Sequence, residues 1–185
     1  MSAASIRPAV VGDAQAIAQV RIDAWRATYR GMMPDTYLDA MSIPDNAAFW
    51  ARILSSGSPN ASVWVAQAGE RVVGFASANL RDSPKFDLDG ELSAIYIAAD
   101  CKRQGLGRRL VATVAAAQRA RGIKGLITWV IAKNQPARAF YERLGGELIA
   151  EQTFQWDGVD LVEVGYAFRD LDALAAMNAD NPALH

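Results

Sequence analysis

The chain has 185 residues, of which 51% are hydrophobic and 21% charged, and its formal net charge is −1. This profile is typical of one globular domain with a sizeable core, and it excludes the broad basic surface that nucleic-acid binding needs. With one cysteine, Cys101, and one histidine, His185, the sequence also excludes a disulfide framework, a zinc cluster and a Ser-His-Asp triad.

The predicted elements of the first half follow from apolar spacing and turn residues. Apolar residues recur at helical spacing between Asp13, which is suited to cap a helix, and Gly31. A second helical region follows, with a break expected near Pro44. In chain order, the pattern predicts a helix over 14–30, helices between 34 and 54, a hairpin of strands 62–67 and 71–80, a polar loop over 81–90 and a strand over 91–97.

The second half alternates between helical and strand patterns. Leu106, Leu110 and Val114 share one helical face, and Gly122 provides a stop. The pattern predicts a helix over 106–121, a strand over 125–131, a helix over 136–144, a hairpin of strands 147–154 and 159–168, and a tail over 171–185 that is a weak helix or disordered.

This order predicts an α/β domain over residues 1–170 with a parallel crossover between strands 91–97 and 125–131. No apolar run approaches the roughly 20 residues that span a bilayer, and the N-terminus lacks the features of a signal peptide. We therefore expect a cytoplasmic protein without a membrane or nucleic-acid partner.

The segment CKRQGLGRRL, residues 101–110, leaves a predicted strand and opens a predicted helix. Its two glycines allow close approach to the main chain, and the first turn of a helix attracts an anion. These features indicate a phosphate or pyrophosphate clasp, although glycines and arginines at a helix start also serve packing and solubility. Neither a dinucleotide fingerprint, which needs a glycine where Leu110 stands, nor a P-loop is present. The segment's charges come from Lys102, Arg103, Arg108 and Arg109.

Two blocks of the sequence resemble the GNAT superfamily of acetyl-CoA-dependent N-acetyltransferases. KRQGLG, residues 102–107, stands at the family's clasp pattern R/Q-x-x-G-x-G/A, and NQPARAFYERLG, residues 134–145, matches N-x-x-A-x-x-F-Y-x-x-x-G. Lys102 departs from the usual Arg or Gln, and Ala99 stands where many members have proline. A lysine still meets a phosphate as a point charge, although it lacks bidentate geometry. The resemblance covers about residues 6–168.

The resemblance implies a single-domain GNAT-like fold: a mixed, mostly antiparallel sheet of about six or seven strands with a central, splayed parallel pair, flanked by helices. It implies direct transfer of an acetyl group from acetyl-CoA to a primary amine of a small molecule or peptide, without a metal. The alternative is a non-catalytic acyl-CoA-binding sensor or scaffold, and a homodimer stays open. The residues that the resemblance assigns to acetyl-CoA are Ile95, Ile97, Lys102, Arg103, Gln104, Gly105, Gly107, Arg108, Asn134, Ala137 and Phe140.

The chemistry needs a neutral amine, a stabilised oxyanion and a proton for the thiolate. Glu91 is the candidate base, although an exposed carboxylate at a strand end is an equally good interpretation, and Glu163 is a weaker alternative. The resemblance implies a bulge that presents the main-chain N–H around Ile97 to the oxyanion, and it assigns proton donation to Tyr141. Cys101 has no neighbouring base in the sequence pattern, so we do not expect an acyl carrier there.

Trp25 and Tyr29 lie one helical turn apart in the segment DAWRATYRGMMPD. The resemblance places this helix at the acceptor pocket, where the aromatic pair with Asp23, Asp35 and Asp39 could receive a cationic amine; the pair could equally belong to the core. Polyamines, aminoglycoside-like and other small amines, amino acids and protein N-termini all stay open as acceptors.

Overall fold

Seven strands form one sheet in this computed structural model, which describes residues 4–177 and, apart from 82–85, their side chains. The strands are β1 Ser5–Pro8, β2 Ala61–Ala68, β3 Arg71–Lys85, β4 Leu88–Ile97, β5 Leu126–Ile131, β6 Glu147–Trp156 and β7 Val159–Phe168. They lie side by side in the order β1-β2-β3-β4-β5-β7-β6. Only β4 and β5 pair in parallel, so the predicted mixed, mostly antiparallel sheet is confirmed.

The parallel pair opens soon after it begins. Strands β4 and β5 are in register only at Gly90 with Leu126 and at Glu91 with Ile127. Ser93 is an extra residue in β4, because the register against β3 shifts beside it, and such a bulge bends a strand. Beyond these pairs the two strands separate, and we call this opening the splay.

Helices cover both faces of the sheet. Within the described residues they are α1 Ala14–Tyr29, α2 Asp35–Ala40, α3 Ile43–Ser55, α4 Leu106–Ala120, α5 Gln135–Arg143 and α6 Leu171–Ala176. Helices α1 and α3 pack on one face, where Ile17 and Trp50 meet Phe75. Helix α4 packs on the other face, where Leu110 and Val114 are fully buried. Both helical faces are needed, because a sheet of this kind hides two apolar surfaces.

Alternation along β4 sends its side chains to different faces. Ile95 and Ile97 pack against the core under α4, whereas Ala94 and Tyr96 pack against the core under α1 and α3. Since successive residues of a strand point to opposite faces, the same few residues of β4 contribute to both sides of the splay.

The predicted polar loop over 81–90 is wrong. Strand β3 continues to Lys85 and β4 starts at Leu88, so only Phe86 and Asp87 form the turn. Both have positive φ, 62° and 59°, as a two-residue hairpin turn of type I′ requires. Neither residue is a glycine or an asparagine, which is why turn chemistry did not reveal this hairpin.

Of two expectations about the helix starts, one is wrong and the other is confirmed. Asp13 directly precedes α1, but its carboxylate accepts hydrogen bonds from Arg7 and from the Val10 N–H instead of capping that helix. The break expected near Pro44 is present, because α2 ends at Ala40 and α3 begins at Ile43. Pro44 itself lies in the first turn of α3, where proline is tolerated, and Ser42 caps this helix.

The end of the described chain packs on the domain. Leu171 and Leu174 of α6 are buried in the core cluster that contains α4, and the rest of the predicted tail, 178–185, lies outside the described residues. No helix among residues 4–177 is long and apolar enough to cross a membrane.

Candidate active site at the splay

A cleft of about 690 Å³ runs from the start of α4 along β4 to α5, and we call it the α4 cleft. The chain reaches it through a left-handed turn at Gly105, whose φ is +76° and where an added Cβ would meet no atom within 4 Å. The first turn of α4 then leaves main-chain N–H groups without intrahelical partners, which favours an anion. The residues that line this cleft from the predicted clasp are Lys102, Arg103, Gly105, Leu106, Gly107 and Arg108.

Gly107 has a different structural role from Gly105. A Cβ at Gly107 would stand 3.2 Å from the ring of Phe140, so glycine here permits the close approach of α4 and α5. Gln104 does not line the cleft, because its amide turns back and donates to the carbonyl oxygen of Asp100 at 3.3 Å. Arg143, at the end of α5, adds a cation that the sequence patterns did not indicate.

Strand β4 presents main-chain donors to the splay. The Ala98 N–H donates to the carbonyl oxygen of Val73, and in an antiparallel pair the hydrogen-bonded residues alternate. By this alternation the amides of Ile95 and Ile97 point away from β3 and towards the gap that β5 has left. The bulge and the splay thus leave these main-chain N–H groups facing the gap between β4 and β5.

Asn134 and Tyr141 sit at the α5 wall of the same cleft. Asn134 is buried, and its Oδ1 accepts from the Ala137 N–H at 3.2 Å, which caps α5. Tyr141 is buried in the core next to Thr128, whose hydroxyl donates to the carbonyl oxygen of Leu92 at 2.9 Å. Burial raises the pKa of Tyr141 to about 12, so its phenol is protonated at neutral pH.

A second cleft of about 530 Å³ opens on the α1 and α3 side of the sheet, and we call it the aromatic cleft. Its aromatic walls are Trp25, Tyr29, Phe49, Trp50, Tyr96, Trp129, Phe154 and Trp156. Trp25 Nε1 donates to the Tyr96 hydroxyl at 2.8 Å, which joins α1 to β4. Burial raises the pKa of both Tyr29 and Tyr96, so these phenols stay neutral.

Two carboxylates face the aromatic cleft. Glu91 forms an ion pair with Arg81, and burial raises its pKa even though Arg81 opposes the shift. Glu163 accepts a hydrogen bond from Gln152 Nε2 at 2.7 Å. The charge of Glu163 also raises the pKa of Glu91, so the two groups lie near each other.

The two clefts meet at the splay. They share six lining residues, which lie on α1, β4 and β5: Tyr29, Ser93, Ala94, Tyr96, Trp129 and Val130. A molecule held in the α4 cleft and another held in the aromatic cleft can therefore come into contact at the bulge in β4.

The structure brings most of the predicted site residues to these clefts. Apart from Gln104, every residue assigned to acetyl-CoA lines the α4 cleft, as does Tyr141. Trp25 and Glu91 line the aromatic cleft, and Tyr29 lines both. Cys101 lines the α4 cleft, and burial raises the pKa of its thiol, which disfavours a nucleophilic thiolate.

The three aspartates suggested for the acceptor pocket are not placed there. Asp35 and Asp39 pair with Arg30 on the surface, and Asp23 accepts a hydrogen bond from Gln19. These aspartates are close to Trp25 in the sequence, but they do not line the same cleft, because their side chains point in other directions.

Comparison with known proteins identifies the class. The family model described as acetyltransferase (GNAT) family matches residues 22–146. This chain therefore belongs to the GNAT family of acetyltransferases.

Individual relatives agree with this assignment. The chain is 36% identical over 174 residues to the uncharacterized N-acetyltransferase YuaI of Bacillus subtilis, covering 94% of this chain and 97% of that protein. Its fold is similar to that of the PaiA N-acetyltransferase from Thermoplasma acidophilum in complex with coenzyme A, with TM-score 0.70, 19% identity and coverage of 89% and 98%. It is also similar to the ribosomal-protein-alanine N-acetyltransferase from Brucella melitensis, with TM-score 0.69, 23% identity and coverage of 89% and 99%.

Proposed function

We propose that this protein transfers an acetyl group directly from acetyl-CoA to a primary amine of a small molecule or peptide. The observation that carries the proposal is the meeting of the α4 cleft and the aromatic cleft at the splay. Direct transfer requires the acyl donor and the amine to be held together, and this junction supplies adjoining sites for both.

The α4 cleft fits coenzyme A. Main-chain N–H groups at the start of α4, with Lys102 and Arg108 beside them, suit a pyrophosphate. The open space at Gly105 leaves the main chain accessible. The amides of Ile95 and Ile97, which point away from β3, suit an extended arm with amide groups and, at its end, a thioester carbonyl.

The catalytic roles divide between the two clefts. When bound, acetyl-CoA supplies an acyl group activated as a thioester. The amides of Ile95 and Ile97 stabilise negative charge that develops on the carbonyl oxygen. Tyr141 gives a proton to the departing sulfur, because it lines the α4 cleft and its phenol is protonated at neutral pH.

Glu91 is the proposed base, acting directly or through water. A primary alkylammonium has a pKa of about 10, so it must lose a proton before it attacks at pH 7. Burial raises the pKa of Glu91, which reduces the difference between its pKa and that of the amine. Arg81 favours the charged form of Glu91, which is the form that can accept a proton.

A thiol-release assay with acetyl-CoA and a panel of primary amines tests the proposal. We expect amine-dependent release of CoA and a product that is heavier by one acetyl group. If CoA raises the melting temperature while no amine supports turnover, the chain is instead the acyl-CoA-binding sensor or scaffold named as the alternative.

A further inference from the structure

Eight aromatic side chains line the aromatic cleft, which is more than the recognition of a polar amine requires. Trp25 contacts Trp156 with ring centroids 6.0 Å apart and Tyr29 at 4.9 Å, and Trp156 meets Phe154 at 6.3 Å. These rings come from α1 and β6 and pack against one another in one hydrophobic cluster. A surface of this kind gains most from an apolar, aromatic ligand.

The charges in the aromatic cleft leave one carboxylate for a ligand. Its charged lining residues are Arg21, Glu91 and Glu163. Arg81 already pairs with Glu91, whereas no lysine or arginine among the described side chains lies within 4.0 Å of Glu163. The hydrogen bond from Gln152 Nε2 to Glu163 Oε1, 2.7 Å long, holds this side chain in place.

Arg21 is engaged elsewhere. Its guanidinium lies 4.6 Å from the centre of the Trp25 ring, and Nη1 donates to Asn46 Oδ1 at 2.8 Å. It therefore braces α1 against α3 and extends the aromatic wall.

We infer, on the basis of the proposed function, that the acceptor is an aralkylamine, a primary monoamine with an aromatic body, and that Glu163 binds its ammonium group. The ring lies among the tryptophans, and the ammonium reaches the two carboxylates of the aromatic cleft. Glu163 holds the amine while Glu91 removes its proton. A volume of about 530 Å³ is within the range of small-molecule sites.

The same features disfavour acceptors that carry several positive charges or a carboxylate beside the ammonium group. A polyamine or an aminoglycoside carries several positive charges and needs several free carboxylates, but Arg81 already neutralises Glu91. An amino acid brings a carboxylate beside its ammonium, and this carboxylate would meet the Glu163 carboxylate. Such like-charge contacts weaken binding of the wrong ligand.

Three probes separate these classes: 2-phenylethylamine, phenylalanine, which adds only a carboxylate, and spermidine. We expect kcat/KM for 2-phenylethylamine to exceed the other two by about ten-fold or more. Binding of 2-phenylethylamine to the CoA complex of Tyr141→Phe, measured by calorimetry, gives a second readout that needs no turnover.

Glu163→Gln should weaken that binding by about ten-fold or more, since it removes a charge-assisted contact. Asp160→Asn is the matched control on the same strand, because Asp160 is exposed and lines neither cleft; it should bind like the unchanged protein.

Preference for spermidine or phenylalanine overturns the aralkylamine assignment but leaves acetyl transfer intact. Equal binding by the Glu163→Gln and Asp160→Asn variants, or absence of 2-phenylethylamine binding, also overturns the inference. Binding that depends on Glu163 without thiol release would instead support the inference and contradict the proposed acetyltransferase function.

Discussion

The α4 cleft and the aromatic cleft meet at one opening but are built from different parts of the chain. The α4 cleft offers mainly main-chain donors, at the start of α4 and at Ile95 and Ile97. The aromatic cleft offers side chains from α1, α3 and β2 to β7. Main-chain groups recognise a ligand whatever the neighbouring side chains are, whereas a pocket made of side chains changes its ligand with each substitution.

Because of this difference, we expect separate sets of residues to determine the affinity for acetyl-CoA, the choice of amine and the rate of the chemical step. We expect substitutions in the α4 cleft that touch only phosphates to alter the affinity for acetyl-CoA. Substitutions in the aromatic cleft should alter the choice of amine, and those at the splay should alter the chemical step. The predictions below test that division, from the largest expected effect to the smallest.

Tyr141→Phe should lower kcat by about 10²-fold and leave KM for acetyl-CoA within a few-fold, because the phenol acts only as the sulfur departs. Steady-state thiol release at saturating amine measures both constants. Tyr37→Phe is the matched control, since it also removes one phenol but lines neither cleft. Full activity in Tyr141→Phe would remove this residue from the mechanism and leave water as the proton donor.

Glu91→Gln should lower kcat/KM at pH 7 by a smaller factor, on the order of 10-fold, and the defect should shrink by pH 9. As pH approaches the amine pKa of about 10, more of the acceptor is neutral without a base. In the unchanged protein, activity should rise with pH through the Glu91 pKa, which burial places above its ordinary value. The Glu91→Gln variant should not show this rise of activity with pH.

Rates measured between pH 5 and pH 9 at saturating acetyl-CoA show both effects. A defect of constant size across this range would assign Glu91 to substrate binding or to structure. Glu163 would then be the next residue to test as the base.

The sequence predicted the α4 cleft far better than the aromatic cleft, and the contrast has a physical reason. The α4 cleft draws largely on two contiguous segments, 95–108 and 134–143, whose turn and cap residues have local signatures. The contact between Trp25 and Tyr96 joins residues 71 positions apart, and no local pattern encodes it. The turn at 86–87 was missed for a related reason, because its positive φ values occur without glycine.

Lys102→Ala and Arg108→Ala should each raise KM for acetyl-CoA by about two- to five-fold with little change in kcat, because solvent-exposed ion pairs are weak. Arg109→Ala, which removes a neighbouring charge outside the α4 cleft, is the control and should leave KM unchanged. The defect should diminish as salt is added. A selective loss of kcat in Lys102→Ala or Arg108→Ala would break the division between affinity and chemistry.

The most direct measurement of the central claim is thermal unfolding with and without CoA for the unchanged protein, Gly105→Ala and Gly105→Glu. Both substitutions place a side chain at φ +76°, so both carry a strain of about 1 kcal/mol, but only glutamate adds negative charge and bulk at the clasp. We expect CoA to raise the melting temperature of the unchanged protein and of Gly105→Ala, but not of Gly105→Glu. Equal stabilisation of Gly105→Glu would contradict the assignment of the α4 cleft to acetyl-CoA.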